Sequence, residues 1–211
     1  HINDYSYQSH LDWLQNLLDQ LDLKQITLVC QDWGSLLGLR LLTANPDRFK
    51  AVVIGNGMLP TGQHKVPLAF HIWKNFALYT PILPIGRIIR AGTQRTLSRA
   101  DRLAYDAPFP NSIYQAGARA FPRLVPTKPN QPEAVANQQA WQVLERWDKP
   151  FLTVFSSGDP ITRGGDRYLQ KRVAGAKNQP HQTLKGGHFL QEDSAVPFAE
   201  AINQLLASID G

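Results

Sequence analysis

The 211-residue chain has one cysteine and one methionine. A lone Cys30 cannot close an internal disulfide or assemble a thiolate metal site, so the fold must rest on its own hydrophobic core. Long apolar runs are missing as well. Gln25 to Cys30 and Ala51 to Ile54 are strand-sized, far short of the roughly 20 residues that a membrane helix needs. No charged-then-apolar leader follows His1, and we expect a soluble, cytoplasmic protein with no membrane partner. Internal repeats and low-complexity tracts are absent, and with 43% hydrophobic and 18% charged residues the composition excludes disorder, collagen and coiled coil. No metal-ligand spacing, phosphate-cradling glycine loop or dinucleotide fingerprint occurs, so neither cofactor nor metal is expected.

Acidic residues are scarce in one place. Residues 60–132 hold ten Lys or Arg against Asp101 and Asp106 alone, a local +8 within a chain of net charge +5. The bases, among them Arg87, Arg90, Arg95, Arg99 and Arg102, are scattered, without an aromatic stacking pattern or a recognition-helix motif. We read a solvated basic face and expect no nucleic-acid partner.

The opening third alternates. Leu11, Leu14, Leu18 and Leu21 step by three and four and predict a helix over residues 8–21. Ile26 to Cys30 is a continuous apolar run, the pattern of a strand covered on both faces in a parallel sheet. Leu36 to Leu42 predict a buried helix ending at Asn45-Pro46, and Ala51 to Ile54 a second strand. This is α/β organisation, and residues 1–59 read as its first core segment. Residues 60–148 break the rhythm. Ten of the fifteen prolines fall between residues 60 and 132, punctuating short helices near 98–105 and 111–119, so we assign residues 60–148 to an inserted helical cap. A helix over residues 133–147, with Trp141, Leu144 and Trp147 in step, leads back to the sheet. Residues 149–211 complete the core with strands at 151–155 and 181–184 and a closing helix at 196–207.

Chemistry concentrates where strands end. In Leu28-Val-Cys-Gln-Asp-Trp-Gly-Ser35 an apolar strand passes through one acid and a glycine directly into a helix, in the manner of a nucleophile elbow with Asp32 at the turn. On this stretch alone Asp32 reads equally well as a helix N-cap. Two further strand ends carry an acid, in Ser157-Gly-Asp159-Pro, and a histidine, in Gly186-Gly-His188-Phe. Taken singly, Asp159 is a turn residue and His188 a loop histidine. Taken together, nucleophile, acid and histidine follow one another in hydrolase order, each just past a strand carboxyl end, where open parallel sheets hold their ligands. Asp166 is the rival acid, ahead of or inside a helix.

These residues resemble the haloalkane dehalogenases of the α/β-hydrolase superfamily. The resemblance runs through Val29-Cys-Gln-Asp-Trp-Gly34, Ala69-Phe-His-Ile-Trp-Lys74, Tyr105-Asp-Ala-Pro-Phe-Pro110, Tyr114-Gln-Ala-Gly117 and Gly187-His-Phe-Leu-Gln191. It implies an α/β-hydrolase fold, here a partial and mostly parallel sheet with an inserted helical cap. Asp32 is implied as nucleophile, His188 as the base that activates water, and Asp159 as its orienting acid. Asp159 is favoured because the subgroups that take their acid from the earlier strand need Asp or Glu near Asn56 to Pro60, and none is present. Trp33 and Trp73 match the indole donors that flank the halide. Phe70, Phe109, Pro110 and Ile161 match an apolar substrate wall, although each could equally be core, while Trp13, Trp141 and Trp147 read as packing residues. The implied partners are a small halogenated hydrocarbon and a halide ion.

The resemblance also implies an earlier half of the sheet and a His-Gly loop carrying a second oxyanion donor, neither of which is in this chain. The strand at Ile26 to Cys30 should then present an apolar edge open to association. Two alternatives follow. An epoxide hydrolase uses the same Asp and His but needs acidic donors for the opening oxygen, for which the lobe offers Tyr79, Tyr105 and Tyr114. A truncated, non-catalytic hydrolase-like module is the second.

Overall fold

The computed structural model describes residues 1–210. Its centre is a four-stranded sheet of β1 (Ile26–Gln31), β2 (Phe49–Gly55), β3 (Phe151–Ser156) and β4 (Gln182–Leu184), ordered β1-β2-β3-β4 and parallel throughout. Registers such as Val29↔Val53, Val53↔Leu152 and Phe155↔Thr183 align the strands so that all four carboxyl ends emerge at one edge.

Helices fill the crossovers. Ahead of β1 lies α1 (Tyr7–Gln20), started by Ser6, whose hydroxyl accepts from the Ser9 N–H at 3.0 Å. Its Leu11 and Leu18 are buried as the spacing predicts, but the helix stops at Gln20 and leaves Leu21 exposed. Between β1 and β2 runs α2 (Trp33–Ala44), apolar on almost every side and buried along most of its length. After β3 comes α8 (Gly165–Arg172), and after β4 come α9 (Leu190–Asp193) and α10 (Ala195–Asp210).

The period of a strand explains the two cores. In β2, Val52 and Ile54 pack with Leu39 and Leu42 of α2, whereas Ala51 and Val53 pack on the opposite face with Ala201 and Leu205 of α10. All four strand residues are fully buried, and each Val or Ile contributes about 1.5–3 kcal/mol from removing its side chain from water. β1 is one of the two edge strands, its Val29 43% exposed, which matches the apolar edge expected there.

The segment between β2 and β3 holds α3 (Leu68–Tyr79), α4 (Ile85–Ala91), α5 (Arg99–Asp106), α6 (Ala116–Leu124) and α7 (Pro132–Leu144). The proline pattern located α5, whereas the helix expected over 111–119 is a 3₁₀ turn at Ser112–Gln115 followed by α6. α3 and α4 gave no sign, because α3 is apolar at most of its positions and α4 is only seven residues long, so neither shows a period. Counted with the lobe by its position in sequence, α7 packs by contrast on α2, and its Ala140, Trp141 and Leu144 join the same cluster as β2 and β3. Among the described residues, no helix is long and apolar enough to cross a membrane.

Candidate active site

Asp32 stands between β1 and α2 with φ 47° and ψ −123°, a left-handed backbone that L side chains rarely adopt. Neighbouring bonds hold it there. Its N–H donates to the Asn56 carbonyl at the end of β2 (3.1 Å), and its own carbonyl accepts from the Ser35 N–H (2.9 Å) and hydroxyl (2.6 Å). The carboxylate makes no capping bond to α2, so the N-cap reading does not describe it. It stays half-exposed and faces a cavity. The close approach of strand and helix falls one helical turn later than Gly34. A Cβ on Gly34 would only touch Cys30, at 3.8 Å, whereas one on Gly38 would press against Leu28 at 3.0 Å.

His188, 8% exposed, lies between two carboxylates. Its Nδ1 is 3.1 Å from Asp159 Oδ2, and its Nε2 is 3.6 Å from Asp32 Oδ1. Asp159 is 2% exposed, and its carboxylate also accepts from the Ile161 N–H (2.9 Å), the Thr162 N–H (3.3 Å) and the Thr162 hydroxyl. Burial works against both charges, but the pairing wins. It holds Asp159 below the ordinary carboxylate range, helped by the Thr162 and Ile161 donors, while Asp159 and Asp32 together push the imidazole up to about 10. The rival, Asp166, opens α8, and among the described residues His188 pairs with no carboxylate besides these two.

Asp32 and His188 open into a cavity of about 1180 Å³ between the sheet's carboxyl edge and the lobe. Trp33 lines it from the elbow, its ring edge-on to Phe121 (4.7 Å) and tilted against Tyr7 (5.5 Å). Trp73 lines it from α3. Among the described residues, neither indole N–H donates a hydrogen bond, so both donors are available to a ligand. Phe70, Phe109 and Ile161 share the apolar lining. Pro110 does not. The turn after α5, closed by the Phe109 N–H on the Asp106 carbonyl (2.9 Å), turns Phe109 inward and leaves Pro110 at the surface. Of the three tryptophans read as packing, Trp141 and Trp147 are buried, but Trp13 is 56% exposed on the outer face of α1. Among the described residues, no cluster of side chains could hold a metal ion.

Sequence reasoning passed over Asn56 and Thr162. Asn56 is fully buried with φ 35°; its Nδ2 donates to the carbonyls of Gly187 (3.0 Å) and His188 (2.9 Å), and its Oδ1 accepts from the Ser156 N–H (2.8 Å). A lone polar residue closing the apolar run of β2 was the available signal. Thr162 gave none, because a threonine in a loop is ordinary.

A carboxylate on a strained strand-to-helix turn, facing an imidazole oriented by a buried acid, places the chain among the α/β hydrolases, and residues 1–195 match the α/β-hydrolase fold family. The chain is 51% identical over 201 residues to a haloalkane dehalogenase of Mycolicibacterium paratuberculosis, covering 95% of this chain and 67% of that protein. It is 50% identical to the haloalkane dehalogenase of Psychrobacter cryohalolentis, covering 96% of this chain and 67% of the other. Among solved structures, the tetrameric haloalkane dehalogenase of Paraglaciecola agarilytica superposes with a TM-score of 0.84 at 28% identity, over 99% of this chain and 68% of that one. The chain belongs to the haloalkane dehalogenase family and spans about two thirds of the length of these relatives.

Proposed function

We propose that this chain supplies the reacting groups for hydrolysis of carbon–halogen bonds in small halogenated hydrocarbons, giving an alcohol, a halide ion and a proton. The observation that carries this reading is the placement of one imidazole between two carboxylates, one buried and one open to an apolar cavity.

Asp32 is the nucleophile. One carboxylate oxygen bonds to the halogen-bearing carbon as the carbon–halogen bond breaks, and the halide leaves with the bonding electron pair. Trp33 and Trp73 donate their indole N–H groups to that halide. A neutral donor with an apolar rim suits a large, weakly hydrated anion better than an acid would. The resulting alkyl ester has a carbonyl that water can attack, which an alkyl ether on serine would lack. Water then adds to the Asp32 carboxyl carbon while His188 takes its proton, and collapse releases the alcohol and restores the carboxylate. The Trp33 backbone N–H, at the first position of α2 where no intrahelical acceptor exists, is placed to stabilise the developing oxyanion.

Charge explains the order of the steps. Before the reaction, both Asp159 and Asp32 hold the imidazole protonated, and displacement of halide needs no base. Esterification removes the Asp32 charge, and with it part of what raises the imidazole. His188 thus gives up its proton to solvent, the proton counted among the products, and becomes a base when water must be activated.

The epoxide alternative is disfavoured by one observation: none of Tyr79, Tyr105 and Tyr114 lines the cavity, and Tyr168, which does, has its hydroxyl engaged with Arg172 and His64. Halide and proton release from 1-bromobutane and 1,2-dibromoethane, by the enzyme completed to the length of its relatives, tests the reading. Stoichiometric release that disappears in Asp32→Ala supports it. A folded completed enzyme that releases no halide overturns it, and turnover by the 211-residue chain itself, assayed beside the completed enzyme, excludes the non-catalytic module.

A further inference from the structure

His188 owes its direction to a short loop, Gly186–Phe189, that is held from two sides. On the core side Asn56 donates to the Gly187 and His188 carbonyls. On the other side lies a lobe segment, Gly92–Arg95, between α4 and α5. The N–H groups of His188 (2.8 Å) and Phe189 (3.4 Å) both donate to the Gly92 carbonyl, and Gln94 Nε2 donates to the Gly186 carbonyl (3.0 Å). The fit has no slack: a Cβ on Gly187 would lie 2.3 Å from the Gly92 carbonyl oxygen. Gly187 is a glycine for this contact, whereas a Cβ on Gly186 would meet the Asp193 side chain at 3.0 Å.

One side chain bonds to both partners. The carboxylate of Asp193, at the end of α9, accepts the Gly187 N–H at 2.6 Å, and it also accepts the lobe's Gln94 N–H (2.9 and 3.0 Å) and Arg95 N–H (2.8 Å). Among the described residues, no other side chain accepts from both the histidine loop and the lobe. Its neighbour Glu192 binds only lobe side chains, Arg95 and Tyr105. These backbone donors, with Arg95 nearby, hold the Asp193 carboxyl below its ordinary range against the opposing effect of burial. The bonds are therefore charge-assisted.

We propose that Asp193 is a positioning residue for His188, which pins the histidine loop and the lobe segment Gly92–Arg95 to one carboxylate so that the imidazole and the cavity's lobe wall keep a common geometry. The inference rests on the proposed function and extends it to the second chemical step. Asp32 reaches the substrate without help from this loop, whereas water activation needs the imidazole in place. Loosening the loop should therefore slow ester hydrolysis and spare halide displacement, because a displacement of about 1 Å in a reacting group can cost on the order of a hundredfold in rate.

Asp193→Asn in the completed enzyme tests this, since the amide keeps the shape but turns an NH₂ towards N–H donors that need an acceptor. With 1-bromobutane under rapid mixing, the expected result is a burst of one halide per active site, then alcohol formation slowed roughly tenfold or more, with the butyl mass found on the peptide containing Asp32. A role confined to stability would reduce burst and steady rate together and leave no adduct. A folded variant with halide and alcohol in step and Asp32 unmodified would overturn the inference. Should Asp193→Asn fail to fold, Gln94→Ala, which removes only the bond to the Gly186 carbonyl, decides by the same partition, with a smaller accumulation expected. A parent enzyme that releases no halide would overturn the functional reading and this inference with it. A parent that turns over beside an adduct-free variant overturns this inference alone.

Discussion

The carboxyl edge of the sheet and the helical lobe facing it enclose one cavity but are built differently. On the sheet side β2, β3 and α2 are almost wholly buried, and Asp32, Asp159 and His188 stand at the ends of elements that packing holds in place. On the lobe side α3 buries only Ala77 and α5 buries nothing, while Leu68, Ile72, Tyr79, Leu103 and Ile113 lie open. Reacting groups need positions fixed to fractions of an ångström, which a close-packed interior provides. A substrate wall needs only apolar surface and a few donors, which loosely packed helices can present and rearrange. The basic excess of residues 60–132 follows from the same difference, because only a well-solvated element can carry so many like charges.

Substitutions on the two sides should separate accordingly. The largest effect is expected from Asp32→Ala, which removes the proposed nucleophile and should lower halide release by on the order of 10⁴-fold, read by a halide-sensitive assay. Next is Leu39→Ala, in the fully buried part of α2, with an expected loss of about 2–5 kcal/mol by urea unfolding. On the lobe, Trp73→Phe keeps the aromatic surface and removes one proposed halide donor, so turnover should fall by about 10²-fold at most, with weaker chloride binding and little change in stability. If Trp73→Phe destroyed activity as completely as Asp32→Ala, the lobe would have to be counted with the reacting groups.

Titration gives a smaller and directional test. The His188 pKa is raised from 6.5 unfolded to about 10 folded, so the stability drawn from its ion pairs is fully present below the unfolded value and is lost as pH rises through about 10. Melting temperatures should therefore decline across that window. In Asp32→Ala the decline should begin at lower pH, since one of the two anions is gone. The smallest effect is expected from Leu103→Ala on the exposed face of α5, within about 0.5 kcal/mol. A larger loss would show that the lobe packs more tightly than its exposure indicates.

Much of this division is legible in the chain itself. Ile26 to Cys30, Ala51 to Ile54 and Phe151 to Phe155 are strands because continuous apolar runs of that length have no other stable place, and the helix ends at Asn45-Pro46 follow from proline's missing donor. The acid and histidine beyond two later strands were visible because parallel strands bring their carboxyl ends to one edge whatever their separation in sequence. What the residues did not show was direction. Phe109 and Pro110 are neighbours in one motif, yet only Phe109 turns inward. Trp13 and Trp141 look alike in sequence, yet one is exposed and the other buried.

The sequence by itself determined the α/β order, the inserted helical segment and the identity of three candidate reacting groups, because these depend on local periodicity and on chain order. Only the tertiary structure decided that Asp32 leaves α2 uncapped and keeps its carboxylate for the cavity, and that α7 packs with the core. It alone showed that Asn56 and Asp193 hold the loop of His188. Those bonds join residues as much as 132 apart, and no local pattern encodes which distant amide will meet which carbonyl once the sheet has closed.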